Sequence, residues 1–336
     1  MFRSTTSTPD VPLPLLITGA AGVAGYNALT YFQARYPGQV VAIRQRDNWR
    51  LDGPGIVACN AEDHEGLERL FEEHRFAAVL DCAGNCALKS CELDPGMAWR
   101  INVDGVRNLT GLVKQFGARF VHLSIDLVFS GTGTGRHTEN DPTDPVTVYG
   151  KTMVAAEDLI REALPEASIL RISLPMGVSF NGHAGAIDWI QSRFKKSKPA
   201  TLYFDEVRTP TYTDCLNRLC ETVLARQLPG LYHAGGPLPL SLYQIAQIIN
   251  RVGGYDPEHL QGCPRIAAGP IPPRAGDVSM DSSKLAQALG YQPFHAWPYD
   301  ESLVPTHAKW HYERPAHERG SGEWLAEVLY RNPLRI

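Results

Sequence analysis

Ser124, Asp126 and Tyr149 are the polar groups whose types and spacing could carry proton chemistry, and all three fall within residues 120–160. A phenol beside the carboxyl end of a parallel strand is well placed to exchange a proton with a bound substrate. Tyr149 opens a run in which Met153, Ala156, Leu159 and Ile160 recur at helical spacing. Position 153 faces the same side of that helix as Tyr149 and holds a methionine. The preceding stretch, 120–129, is apolar and β-branched enough to be a buried strand, along which Ser124 and Ile125 turn to opposite faces. Residues 131–135 read GTGTG without opening a helix, which predicts a mobile loop at a cleft mouth rather than a phosphate cradle.

A second chemistry is written near the start. Thr18-Gly19-Ala20-Ala21-Gly22-Val23-Ala24-Gly25 lies between a strand expected at 14–17 and a helix expected at 26–36. Glycines so spaced allow a tight turn and bring backbone N–H groups close to phosphate oxygens at a helix N-terminus. The next strand, 40–43, runs into Arg44-Gln45-Arg46. An acidic residue there would suit the ribose hydroxyls of NAD, whereas arginine suits the 2′-phosphate of NADP. NADP is therefore the expected cofactor and NAD the alternative; the bland reading of Arg44 and Arg46 is two solvated loop charges.

The elements that must position these groups alternate. Strands are expected at 55–59, 77–83 and 168–172, and helices at 65–73 and 97–116, the latter carrying Asn102. Such alternation predicts an α/β fold, a Rossmann-type doubly wound parallel sheet covered on both faces. From residue 176 the pattern breaks. Residues 11–175, with 205–234 returning to them, are assigned to the dinucleotide-binding domain. Residues 176–204 and 235–336 are assigned to a smaller, discontinuous substrate lobe with a C-terminal extension.

Composition excludes several classes. The 336 residues carry 32 basic and 36 acidic side chains, a net charge of −4 without a basic block, so nucleic acid has no electrostatic footprint here. No apolar run is long enough to span a bilayer or to serve as an export signal, which predicts a cytoplasmic protein without membrane contact. Seven cysteines suit a reducing compartment. The spacing of Cys82, Cys86 and Cys91 matches no common zinc pattern, His307 and His311 read as surface residues, and no metal is expected.

As an ordered set, TGAAGVAG, DCAG (81–84), Asn102-Val103 and Tyr149-Gly150 resemble the extended short-chain dehydrogenase/reductase family. SIDLVFSG, DPVTVYGKTMVAAE, LRISLPMG, RTPTYTD and RAGDVSMDSSKL are similar to the dTDP-4-dehydrorhamnose reductase branch and to the regulatory β subunit of methionine adenosyltransferase. The resemblance runs from about residue 15 to about residue 298. It implies a nucleotide-sugar or similar small-molecule carbonyl substrate, and leaves open a homodimer or a regulatory partner. It implies a cofactor site formed by Gly19, Ala21, Gly22, Val23, Ala24 and Gly25, then Arg44, Arg46, Asn60 and Ala61. Cys82, Ala83, Gly84, Asn102, Tyr149 and Leu174 complete it, with Asn85, Phe129 and Arg208 toward the substrate. Arg208 would bind a substrate phosphate or carboxylate, unless it pairs with Asp205 or Glu206.

The family's chemistry uses a hydroxyl that positions the carbonyl, a tyrosine that donates the proton and a lysine that lowers the tyrosine's pKa. Only Tyr149 matches. Ile125 stands at the hydroxyl position and Met153 at the lysine position, with Ser124 and Asp126 as neighbours that could share the work. Two functions follow: an NADP-dependent reductase with an atypical site, or a non-catalytic, regulatory dinucleotide-binding subunit. Non-redox chemistry at the same site is a third.

Overall fold

The computed structural model describes residues 10–182, 185–314 and 320–330. Seven parallel strands form its centre: β1 (Leu15–Ile17), β2 (Val40–Arg44), β3 (Ile56–Ala58), β4 (Ala78–Asp81), β5 (Arg119–Ile125), β6 (Ser168–Ile172) and, after a long excursion, Gly230–Ala234. The last strand lies beside β6, and the spatial order from there is β6, β5, β4, β1, β2, β3. The chain therefore reverses direction across the sheet between β1 and β4. That reversal opens a crevice at the carboxyl ends of the strands, the usual place for a ligand in such sheets.

Helices cover both faces, which is why the strands are apolar through most of their length. Leu15, Ile17, Leu80 and Leu123 face α1 (Val23–Arg35) and the helix Thr213–Arg226. Leu16, Val79 and Phe120 face α2 (His64–His74) and two later helices, Gly105–Phe116 and Val148–Ala163.

Local expectations are modified in three places, each for a visible reason. The helix expected at 97–116 is present, running from Pro95 to Phe116, but it carries a π-helical segment within it. After Leu88–Leu93 (α3), Pro95–Trp99 (α4) continues through the π-helical segment Arg100–Asp104 into α5 (Gly105–Phe116). The strand expected at 120–129 stops at Ile125, because Asp126 is drawn aside into a tight turn, Asp126–Val128, by partners far along the chain. The loop 131–135 is tied at both ends: Gly276 N donates to Ser130 O at 2.8 Å, Asp277 N to Gly131 O at 3.0 Å and Arg136 N to Ser279 Oγ at 2.9 Å. A Cβ on Gly131 would lie 2.5 Å from the Gly276 carbonyl carbon, so a glycine is required there.

After α6 (Val148–Ala163), short strands and the helices Ala186–Lys195 and Leu242–Gly253 build the rest. The C-terminal part is packed against them. Trp297 Nε1 donates to Leu329 O at 3.1 Å, Tyr212 Oη to Val328 O at 2.8 Å, and the Arg251 guanidinium lies 4.2 Å from the Trp310 ring centre. His311 is not a surface residue: it is 1% exposed, and its Nδ1 lies 3.2 Å from the Gln247 amide. His307 is exposed and meets Glu313. Residues 1–9 and 331–336, which the export and extension readings included, lie outside the described residues. Among the described residues no helix is long and apolar enough to cross a membrane.

Candidate functional site

The glycine turn sits at the crevice. Gly19 adopts φ +64°, and a Cβ there would lie 2.3 Å from Cys82 O. A Cβ on Gly25 would lie 2.2 Å from Gly19 O, so the helix can approach the turn only with glycine at both positions. Gly22 caps α1 without a side-chain hydrogen bond, and is exposed. The first N–H groups of α1 therefore face outward, ready for an anion. Thr18 holds the turn from beneath: its hydroxyl donates to Asp81 and accepts from the N–H groups of Cys82 and Ala83, both at 3.1 Å. His122 Nδ1 lies 2.7 Å from the other Asp81 oxygen, fully buried.

At the far side of the cradle the two arginines differ. Arg46 is committed to Asp63, the carboxylate that also caps α2 through Gly66 N. Arg44 reaches only backbone carbonyls, Gln45 O at 3.1 Å and Arg46 O at 3.4 Å, and its Nε is buried without a partner. Asn60 accepts from Arg46 N at 3.0 Å, and Ala61 lies under Gly105. An uncapped helix end with a glycine-walled turn at one pole, and an arginine with an orphaned donor at the other, fits a phosphorylated dinucleotide.

Tyr149 stands in the first turn of α6, which is capped by Thr147 accepting from Gly150 N at 2.9 Å. Only 6% of Tyr149 is exposed. Gly150 explains how close the wall comes: a Cβ there would lie 2.2 Å from Leu127 O, so the Asp126–Val128 turn abuts α6. Burial pushes the Tyr149 phenol well above its ordinary pKa, Cys86 and Asp126 push the same way, and Arg208 opposes them. The net environment favours the protonated phenol. Met153, 2% exposed, belongs to the apolar core beneath it, and Ile125 is likewise part of that core.

The neighbours expected to share in the chemistry are distributed over two places. Ser124 points to the opposite face and donates to Glu157, which pairs with Arg171 in a closed network. Asp126 and Arg208 meet each other: Arg208 Nε donates to Asp126 Oδ2 at 2.6 Å, its Nη2 to Asp126 Oδ1, and Ser173 donates to the same carboxylate. Arg208 is thus held neither by Asp205 nor by Glu206, which pair with Arg265 and Arg274. Its fork is already occupied.

Phe129 departs furthest from expectation. It is fully buried, stacked on His137 at 4.1 Å with Arg171 over its ring at 5.2 Å, so it presents no face to a substrate. Asn102, in the π-helical segment, accepts from Asn85 N at 2.7 Å and donates to Thr152 Oγ1 at 2.9 Å. Thr152 in turn donates to Tyr149 O at 2.7 Å. Gly84 and Leu174 flank the crevice on the loops after β4 and β6. Glu92 was not anticipated: its carboxylate accepts from Val148 N at 2.7 Å and pins α3 to the start of α6. A lone acid in an amphipathic segment carries no sequence signal of that job.

Sheet order, glycine turn and tyrosine helix together define a Rossmann-type protein of the short-chain dehydrogenase/reductase class. More narrowly, the chain belongs to the RmlD substrate binding domain family, whose model matches residues 13–304. It is 30% identical over 291 residues to dTDP-4-dehydrorhamnose reductase of Streptomyces griseus, covering 84% of this chain and 90% of that one. It is 25% identical over 309 residues to methionine adenosyltransferase 2 subunit beta of Mus musculus, covering 85% and 87%. Its fold matches the crystal structure of dTDP-4-dehydrorhamnose reductase from Bacillus anthracis in complex with NADP, with a TM-score of 0.74 at 19% identity over 86% of this chain and 96% of that one.

Proposed function

We propose that this protein binds NADP and reduces a carbonyl on a nucleotide-linked sugar, slowly, through a site that keeps the family's tyrosine without its lysine. What supports this reading is the uncapped, glycine-walled N-terminus of α1 beside the sheet, together with Tyr149 in the first turn of the helix that follows β5. Gly19, Gly22 and Gly25 would admit the pyrophosphate to the α1 N–H groups, and Arg44 would meet the 2′-phosphate. When bound and reduced, the nicotinamide supplies a hydride. Residues 176–204 and 235–336 would hold the nucleotide sugar over the crevice.

In this reading Tyr149 donates its proton to the carbonyl oxygen as the carbon is reduced. A phenol held protonated is in the right state to donate. What the site lacks is a charge that stabilises the phenolate left behind, because the influence of Arg208 is offset by Asp126. Each pK unit of missing support is worth about 1.4 kcal/mol, so a turnover slower than that of lysine-bearing relatives is the expected signature. The test is NADPH oxidation by the purified protein against a panel of dTDP- and UDP-linked 4-keto sugars, beside an active relative. Absence of turnover across that panel rejects the reductase.

A second reading has its own support: Met153 and Ile125 close the apolar core where the family places its lysine and hydroxyl. A regulatory subunit that keeps the dinucleotide cradle as a ligand sensor would look like this. Co-purification of a catalytic partner under mild lysis, without carbonyl turnover, favours it; turnover by the isolated chain removes it.

A further inference from the structure

A row of buried polar side chains crosses the sheet beneath the glycine turn. Thr18 directly follows β1, Asp81 ends β4, and His122 lies in β5, paired in register with Asp81. All three are closed to solvent. The chain reverses direction between β1 and β4, so the Thr18–Asp81 hydrogen bond joins the two strands where the crevice opens. Beside it, Thr18 N donates to Leu80 O at 3.1 Å. Asp81 also accepts from Ala83 N at 3.2 Å. An ionised carboxylate only accepts, so His122 Nδ1 is the donor to its second oxygen, at 2.7 Å.

The other ring nitrogen, Nε2, is buried without a hydrogen-bond partner. That orphan costs stability which an apolar side chain in its place would not. What the imidazole supplies in return is its bond to Asp81. One carboxylate oxygen is thereby fixed, and the other is aimed at Thr18. The Thr18 hydroxyl in turn holds the N–H groups of Cys82 and Ala83. Cys82 O is the atom that a Cβ on Gly19 would meet at 2.3 Å, so the loop after β4 and the glycine turn are in direct contact. We infer that His122 is a positioning residue of the dinucleotide site. It braces Asp81 from β5, and through Thr18 and Cys82 it fixes how the glycine turn presents its N–H groups to the pyrophosphate.

This inference rests on the dinucleotide-binding reading above, and the experiment separates the two. NADP and NAD are titrated calorimetrically into the full native chain and into His122→Leu, His122→Asn and His122→Gln, each well below its melting temperature. An asparagine amide can take the place of Nδ1 and donate to Asp81, whereas a glutamine amide reaches toward Nε2 instead. His122→Leu and His122→Gln should weaken both nucleotides about tenfold or more and by the same factor, since both nucleotides carry the pyrophosphate. His122→Asn should stay within about threefold of the native affinity. Leu112→Ala opens a cavity in the core on the same face of the sheet and controls for lost stability; it should leave both affinities near native. Equal affinities in the Asn and Gln variants overturn the inference and leave the reading intact, as does equal weakening by Leu112→Ala. That Asn–Gln comparison decides the matter even where His122→Leu does not fold. No binding of either nucleotide by the native chain overturns both.

Discussion

Asp126 and Arg208 lie 82 residues apart in the chain and meet as a two-pronged ion pair with both side chains closed to solvent. The pair joins the end of β5 to the segment that returns to the sheet, beside the turn that abuts Tyr149. It is a structural clamp at the site rather than a free cation awaiting a phosphate. Removing one partner leaves a buried charge unpaired, so Arg208→Met and Asp126→Asn should each lower stability by roughly 3–5 kcal/mol. Replacing both by apolar residues should cost much less than the sum. Urea denaturation of the single and double variants measures this; additive losses would show the two charges to be independent.

Cofactor preference turns on Arg44, whose buried Nε has no hydrogen-bond partner among the described residues. NADP should bind more tightly than NAD, and Arg44→Ala should remove most of the difference while leaving NAD affinity near its native value. Arg46→Ala should matter less for the difference, because Asp63 already holds that guanidinium. Titration calorimetry of three proteins with both nucleotides decides it, and equal NADP and NAD affinities in the native chain would refute the assignment.

The buried network behind β5 makes stability depend on pH in a defined window. Burial, then the neighbouring Arg171, lowers the His233 pKa to about 4 from an ordinary 6.5. Between those values the unfolded chain holds a proton on this histidine that the folded chain does not. Stability is therefore lost as pH falls from about 6.5 toward 4, by up to roughly 3 kcal/mol from this group alone. Melting temperature against pH for the native protein and His233→Gln checks it: the variant should show a shallower acid slope. Identical slopes would mean that other groups carry the acid sensitivity.

Much of the fold was legible because periodicity reports burial. β1, β4 and β6 are buried on both faces, and LLI of β1 and AVL of β4 read as apolar runs, while β6 (SILRI) hides a buried arginine; α6 reads as a helix from Tyr149 onward. The glycine turn was legible because Gly19 and Gly25 are places where a Cβ would collide with backbone. Long-range polar choices were not. Arg208 has charged neighbours at positions 205 and 206 yet pairs with Asp126, and Phe129 spends its ring on His137 and Arg171. Nothing in local spacing ranks one buried partner over another. The π-helical segment inside the helix expected at 97–116 is of the same kind, since Asn102 bridges two distant backbone and side-chain partners there.

Met153 gives the last prediction, because it separates a weakened enzyme from a site built around the loss of its lysine. Met153→Lys places an ammonium one helical turn from Tyr149 without harming helix propensity. The position, however, is 2% exposed and walled by core residues, so the charge would enter an apolar site with no carboxylate free to receive it: Asp126 is committed to Arg208 and Glu157 to Arg171. A buried unpaired charge is costly. The expected outcome is a lower melting temperature with no gain in carbonyl reduction, and pairing with Ile125→Thr should not rescue it. The measurement is thermal stability and NADPH-dependent turnover of both single variants and the double. A more-than-additive rise in turnover with stability preserved would overturn the expectation, since hydroxyl, phenol and ammonium would then be acting as a unit.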